Sequence, residues 1–331
     1  MLLDALRRPM LFVGGKGGVG KTSLASALAL ARARGGERIL VVSTDPAHNL
    51  GHLWRCEVGD APVRLTRFGS DAGGGFVDGV EIDPHATIER HLAAVERTMM
   101  RMLPERQHGP AREHLQRARH APGSHESAVL ERIAELAASG QRDYDAVVFD
   151  TAPSGHTLHL LALPGQLAGW TDTLLRNRDR SERFSAAMRG LTGGADAAAE
   201  SETDLRRMLR IRRDRFDALQ RDIRDPQRTG FAVVFTAEAL PVAETLEVVR
   251  GLDEMGVRVA ALIANRRSPG DAGELLRARR YAENAQLRHV RERVPAVPLL
   301  EVPLIAGELT GPVALGAVAD LLEGALVVPP R

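Results

Sequence analysis

Gly15-Lys16-Gly17-Gly18-Val19-Gly20-Lys21-Thr22 lies between a short apolar run, Met10-Leu11-Phe12-Val13, and an Ala- and Leu-rich segment reaching Arg34. The stretch satisfies G-x-x-x-x-G-K-[ST] in the context that gives the pattern meaning, after a strand and before a helix. Glycines allow consecutive main-chain N–H groups to turn toward an anion, and the following helix N-terminus adds its positive dipole end. This reading makes Gly15, Lys16, Gly17, Gly18, Val19, Gly20 and the adjoining Ser23 a phosphate cradle. Lys21 reaches the β- and γ-phosphates of a nucleotide, and the Thr22 hydroxyl ligates Mg²⁺. The pattern occurs once in the chain, so one nucleotide site is expected.

Outward from this loop the sequence alternates between strand and helix. Thr22–Arg34 is a helix pattern stopped by Gly35 and Gly36. Ile39–Val42, Asp145–Phe149, Phe231–Phe235 and Val257–Ala264 are the near-continuous apolar runs of strands buried on both faces. The rhythm predicts an α/β fold, a mostly parallel twisted sheet with helices on both faces. Residues 84–140 and 165–228 lack β-rich runs and read as helical insertions forming one subdomain within a single 1–331 phosphate-loop domain. The second insertion carries the stripe Leu205, Met208, Leu209, Phe216, Leu219, Ile223, ending at Asp225-Pro226. Between them, Thr192–Glu200 reads as a mobile loop of small residues.

Composition removes several function classes. The 331 residues carry 44 basic and 43 acidic side chains, a net charge of +1, which supplies no global field for nucleic acid. A single cysteine, Cys56, excludes an internal disulfide framework and a cysteine-cluster zinc site, and reads as a minor packing residue. No signal peptide or membrane span is recognised, and a reduced, cytoplasmic setting is expected. The basic residues hold one further signal. Forty-two of the 44 are arginine, and both lysines, Lys16 and Lys21, fall inside the eight-residue loop. A compact ammonium on a flexible stem is kept there and nowhere else.

Lys16 is unusual for an ordinary phosphate loop. Lys16-Gly-Gly-Val-Gly-Lys-Thr22 resembles the deviant loop of dimeric ATPases that include ParA, MinD, nitrogenase iron protein and ArsA. Ser43-Thr-Asp-Pro-Ala-His-Asn-Leu50 and Asp150-Thr-Ala-Pro-Ser-Gly-His-Thr-Leu158 narrow the resemblance to the ArsA and guided-entry family, which targets tail-anchored membrane proteins. So do Leu160–Pro164, Asp225-Pro226, Glu238-Ala-Leu, Glu244-Thr245 and Asn265, all in the same order.

The resemblance implies roles for particular residues. Lys16 reaches across a homodimer interface to the partner's nucleotide, and Asp45 orients the attacking water. Asp150 holds Mg²⁺, through water. Asn265 and Glu238 contact the nucleotide, with Pro303 and Leu304 near the adenine. Gly155 lends a switch backbone freedom, and His48 and His156 belong to the switches without being metal ligands. Departures matter as well. One cysteine rules out the CxxC zinc clasp of eukaryotic relatives and the three-thiolate metalloid site of arsenite-pump ATPases.

The helical insertions are the expected client region. Met99, Met100, Met102 and Leu103 cluster there, with Met188 and Met208 in the second insertion. They either pack the subdomain's own core or line a groove for a hydrophobic membrane-protein segment. Fourteen arginines and ten acidic residues interleave between Arg176 and Arg228, the pattern of a solvated face rather than a nucleic-acid site. Taken together, the sequence implies a Mg²⁺-dependent, nucleotide-gated homodimeric ATPase that captures and releases a client. The alternatives are an ATPase driving an arsenite or anion pump, and a ParA- or MinD-like positioning ATPase.

Overall fold

The computed structural model describes residues 6–45, 49–69, 74–102, 106, 108–119, 124–151 and 197–325. Its first strand, β1 (Met10–Gly15), runs directly into the glycine-rich loop, and α1 (Lys21–Arg34) follows. Next come β2 (Arg38–Ser43), α2 (Asn49–Trp54), β3 (Val63–Arg67), β4 (Phe76–Glu81), α3 (Pro84–Met102), α4 (His108–Arg119), α5 (Ser124–Asp143) and β5 (Ala146–Asp150). From residue 197 onward, α6 (Ala197–Arg224), β6 (Thr229–Thr236), α7 (Ala239–Glu254), β7 (Val259–Arg267), α8 (Glu274–Arg293), β8 (Leu299–Pro303) and α9 (Gly311–Ala325) complete the order.

Eight strands form one sheet in the order β3-β4-β2-β5-β1-β6-β7-β8. Every neighbouring pair is parallel except β3 with β4. The mostly parallel α/β architecture expected from the apolar runs is therefore present. Those runs are buried between helices on both faces, apart from Asp145 and Arg258 near the starts of β5 and β7, which are exposed. Alternation along β1 divides the core. Leu11 and Val13 join Leu24, Leu28, Leu30, Ile39, Val41 and Val148 in one cluster with Leu315, Val318 and Leu322 of α9. Phe12 faces the other way and stacks on Phe149 at 4.7 Å and Phe231 at 6.0 Å. Burying each such ring contributes about 1.5–3 kcal/mol.

The chain divides into two compact units. The described residues of the first fall within 6–82, 139–151 and 222–325 and hold the sheet. Those of the second fall within 83–138 and 197–221 and are helical. In the helical unit Asp83 caps α3, its Oδ1 accepting from the N–H groups of His85 at 2.8 Å and Ala86 at 3.1 Å. Pro84 occupies the first helical position, where its missing N–H costs nothing. Arg212 pairs with Glu131 at 3.1 Å and Arg215 with Glu135 at 3.0 Å, so arginines of α6 are matched by acids. Phe216 and Leu219 of the stripe are buried.

Several expectations need correction. Residues 197–200, read as part of a loop, form the first turn of α6, because Ala-Ala-Ala-Glu is a strong helix-forming run. Cys56 is exposed rather than packed. Strands β3, β4 and β8 had no counterpart in the sequence reading. Of the methionine cluster, the description covers only the side chain of Met100, which is half-buried. Leu103, Met188 and the side chains of Met99, Met102 and Met208 lie outside the described residues. No helix among the described residues is long and apolar enough to cross a membrane.

Candidate nucleotide site

Strand register gathers the candidate residues at the carboxyl ends of the central strands. Val13 of β1 lies opposite Asp150 of β5, and Ser43 of β2 opposite the same Asp150. On the other side Gly15 lies opposite Val234 of β6, and Thr236 opposite Asn265 of β7. The chain leaves β1 toward β2 and returns on the other side through β6, so the loop opens at the point where strand order reverses. Open α/β sheets bind their ligands in that crevice.

The loop's backbone needs glycine where the crowding is greatest. Gly15 has φ +145°, and a Cβ there would stand 2.1 Å from the Val234 carbonyl oxygen. Gly20 caps α1 at φ +95°, and a Cβ there would stand 2.5 Å from Asn265 Nδ2. That amide is close because it donates to the Val19 carbonyl at 2.8 Å, tying the end of β7 to the loop. Asn265 thus holds the cradle's main chain.

Lys21 is buried at the start of α1 and folds back over the loop, its Nζ donating to the Lys16 carbonyl at 3.0 Å. Burial lowers its pKa, an effect partly offset by the negative charges of Asp150 and Asp45. Thr22 and Ser23 follow it, both half-buried. Asp150 is 1% exposed, and neither carboxylate oxygen has a hydrogen-bond partner. Burial pushes its pKa up to about 7. The nearby Thr22 hydroxyl and Lys21 hold it down, Thr22 without forming a bond that satisfies either oxygen. Around it the main chain is fully engaged. Thr44 N donates to the Asp150 carbonyl at 2.9 Å, and Thr151 donates to the Val13 carbonyl through N at 3.1 Å and Oγ1 at 3.0 Å.

The donor set passes the chemical test for a hard cation. A buried carboxylate with two orphaned oxygens beside a threonine hydroxyl suits Mg²⁺, which takes oxygen ligands and retains water. A glycine cradle ending in a buried lysine suits polyphosphate.

The remaining candidates divide. Asp45 is close enough to act electrostatically on both Lys21 and Asp150, and its N–H reaches Ser43 Oγ at 3.4 Å. Lys16 Nζ donates to Glu244 Oε1 on α7 at 2.7 Å. Glu238 precedes α7 and is exposed, its Oε1 accepting from Arg279 Nη2 at 2.8 Å. Leu304 N donates to the Arg267 carbonyl at 2.9 Å, so Pro303 and Leu304 do run beside the end of β7. His48, Gly155, His156 and Leu160–Pro164 lie outside the described residues.

Sequence reasoning gave no role to Glu244, Thr151 or Glu81. Thr151, next to Asp150, carried a signal in its position. Glu81 is buried and accepts from Gly51 N at 2.9 Å, a long-range bond with no sequence pattern to announce it. A cleft of about 1310 Å³ lies elsewhere, lined by Thr229, Gly230, Val257, Val259 and Arg293 at the opposite ends of β6 and β7.

A profile of the anion-transporting ATPase family matches residues 8–324. The chain belongs to that family. It is 34% identical to Protein Rv2184c of Mycobacterium tuberculosis, over 96% of this chain and 75% of the relative. To the ATPase GET3 of Malassezia globosa it is 28% identical, over 97% of this chain and 92% of that one. A putative arsenical pump-driving ATPase 2 from Aquifex aeolicus is 27% identical over 91% and 95%. As a member of the anion-transporting ATPases, the chain is a nucleotide-binding ATP hydrolase. The phosphate loop at the switch point is where that family chemistry would be housed.

Proposed function

We propose that the protein is a Mg²⁺-dependent ATPase of the ArsA and guided-entry type, working in the cytoplasm as a homodimer assembled by ATP. The observation that carries the nucleotide chemistry is Asp150: a buried carboxylate with both oxygens unpartnered, beside Thr22 and Lys21. Thr22 and Asp150, the latter through water, would hold the metal, which when bound would supply positive charge to neutralise the phosphates. Gly15, Gly17, Gly18, Val19, Gly20 and Ser23 hold the phosphates through main-chain N–H groups, with Lys21 adding charge at their end. Glu238 and Asn265 border the base.

Asp45 orients the water that attacks the γ-phosphorus, accepting its proton as the bond to the leaving oxygen breaks. Lys16 of each subunit neutralises charge on the other subunit's nucleotide, as an arginine finger does. Nucleotide state then reaches the helical segments 84–140 and 165–228, which form one subdomain and take up a hydrophobic membrane-protein segment. No structural zinc and no nucleic acid enter this scheme. A second reading, service to an anion or arsenical pump, is favoured by the family description and by the Aquifex relative's name. Against its metalloid form stands the single cysteine.

The test pairs Asp45→Asn with a transmembrane-helix peptide. Asp45→Asn binds ATP with near-normal affinity and turns over at least about 10²-fold more slowly. In ATP and Mg²⁺ it holds the peptide, and in ADP it does not. Wild-type turnover by this variant would remove Asp45 from water positioning. Absence of peptide binding in either nucleotide would turn the client assignment toward the pump.

A further inference from the structure

Lys16 does not stand free at the mouth of the loop. Its ammonium is committed to Glu244, a carboxylate carried 228 residues away on the second turn of α7. The contact is short, 2.7 Å, with the two side chains 40% and 32% exposed. The second oxygen of Glu244, Oε2, is buried and has no hydrogen-bond partner. This carboxylate has therefore paid for desolvation on one side and draws its compensation on the other from Lys16. Such a placement is not that of an incidental rim pair, in which both oxygens would be hydrated.

We infer that Glu244 is a positioning residue that keeps Lys16 docked on its own subunit, and so sets how much ATP is needed to send it to another. The inference rests on the proposed role of Lys16 in trans. An ammonium held on Glu244 of its own subunit is drawn toward that carboxylate, so reaching a phosphate of a second chain competes with the pair. The apparent affinity of any step that needs Lys16 is then scaled by the fraction of chains in which it is undocked. A partly exposed ion pair is strong enough to bias that fraction and weak enough to be outcompeted by a triphosphate.

Residue choice fits the same device. This chain fills nearly every cationic position with arginine, yet keeps lysine here. A guanidinium would grip Glu244 through two parallel bonds, whereas an ammonium is a point charge that can leave one acceptor for another. The Lys16–Glu244 pair also bridges the loop and α7, the helix that starts beside Glu238. Moving Lys16 therefore changes what tethers α7 to the nucleotide loop.

Four full-length chains test this: wild type, Glu244→Gln, Lys16→Ala and the double variant. Two quantities are read in each, the ATP concentration giving half-maximal turnover and the one giving half-maximal dimer by sedimentation. Glu244→Gln is expected to lower both by about three- to tenfold, with kcat held within about twofold. Because the latch is an exposed ion pair, the gap between wild type and Glu244→Gln should narrow as ionic strength rises. In the Lys16→Ala background the glutamine substitution should do nothing further. Glu244→Asp, which keeps the charge but withdraws it by one methylene, should fall between wild type and Glu244→Gln and serves if the latter folds poorly. An unchanged half-maximal concentration, or an equal shift with Lys16 already removed, would overturn the latch while leaving the trans role standing. Wild-type turnover and association by Lys16→Ala would instead remove the trans role, and the latch with it.

Discussion

At the end of β5, Asp150 is buried with both carboxylate oxygens unpartnered. At the end of β7, the equally buried Arg267 is surrounded by partners. Arg267 donates to Glu283, to Glu301 at 2.9 Å and to Asn284 at 2.6 Å. Glu283 is completed by Ser268, whose N–H and hydroxyl donate at 3.1 and 2.7 Å, and by Arg279 at 3.2 Å. Both places take charge out of water, where an uncompensated ion costs several kcal/mol. Only one is balanced from within the chain. A polar group that the fold must hold by itself is satisfied by the fold. One left unsatisfied beside a phosphate cradle is waiting on chemistry from outside.

The sharpest way to break this contrast is Arg267→Ala. It leaves Glu283 buried and Glu301 half-buried without their shared cation, and should cost about 3–5 kcal/mol in denaturant unfolding. A loss under about 1 kcal/mol would mean that the cluster is held by something other than Arg267. The ATP site should be spared in whatever fraction remains folded at low temperature.

Asp150→Asn should do the reverse. Turnover falls on the order of 10²-fold or more because the cation loses its anionic ligand. The ligand-free fold should nonetheless gain about 1–3 kcal/mol at pH 8, since a buried charge is replaced by a neutral amide of the same shape. The two regions also differ in sign with pH. The Asp150 pKa is raised by burial from 3.8 to about 7, so its contribution is most favourable below pH 4 and is lost as pH rises through 7. At Glu283 burial pushes upward, but Ser268 and Arg267 outweigh it and hold the pKa below the ordinary carboxylate value. Glu301 is lowered in the same way, burial being outweighed by Arg267 and Arg291. Their stabilisation is present above the ordinary glutamate range and fades as pH falls below it. Melting of the ligand-free wild type between pH 5 and 8 should therefore slope downward with rising pH, and the slope should flatten in Asp150→Asn. An unchanged slope would remove Asp150 as its source.

The Asp150 region was legible in sequence and the Arg267 region was not, for a physical reason. A phosphate loop is local: eight consecutive residues carry its glycine backbone, its lysine and its hydroxyl, and strand and helix signals flank it. Asp150 could be found because it terminates an apolar run. The Arg267 cluster joins residues from β7, α8 and β8 that share no spacing, and arginine is too frequent in this chain for any one to attract notice. The central strands β1, β2, β5, β6 and β7 were readable as apolar runs because they are buried on both faces. The missed β3 and β4 form the antiparallel edge pair, and β3, Val63–Arg67, is largely exposed and charged. Exposure erases the apolar signature of β3, whereas β4 is buried but its apolar run is broken by Asp78 and Gly79. Residues 197–200 were misread because small residues near two glycines resemble a loop as much as a helix start.

Glu238 is the smallest test and lies between the two extremes. Its carboxylate is 54% exposed and pairs with a 51% exposed Arg279, the same arginine that donates to Glu283. As an exposed pair it should contribute no more than about 0.5–1 kcal/mol, so Glu238→Gln should barely move the unfolding midpoint. The nucleotide role assigned to Glu238 predicts instead a rise of about three- to tenfold in KM for ATP with kcat little changed, the signature of lost uniform binding. Glu238 would then belong with Asp150, a group whose value appears only when ligand is present. If KM stays put and only stability shifts, Glu238 belongs with the Arg267 network. Its tie to α8 through Arg279 would then be its whole function.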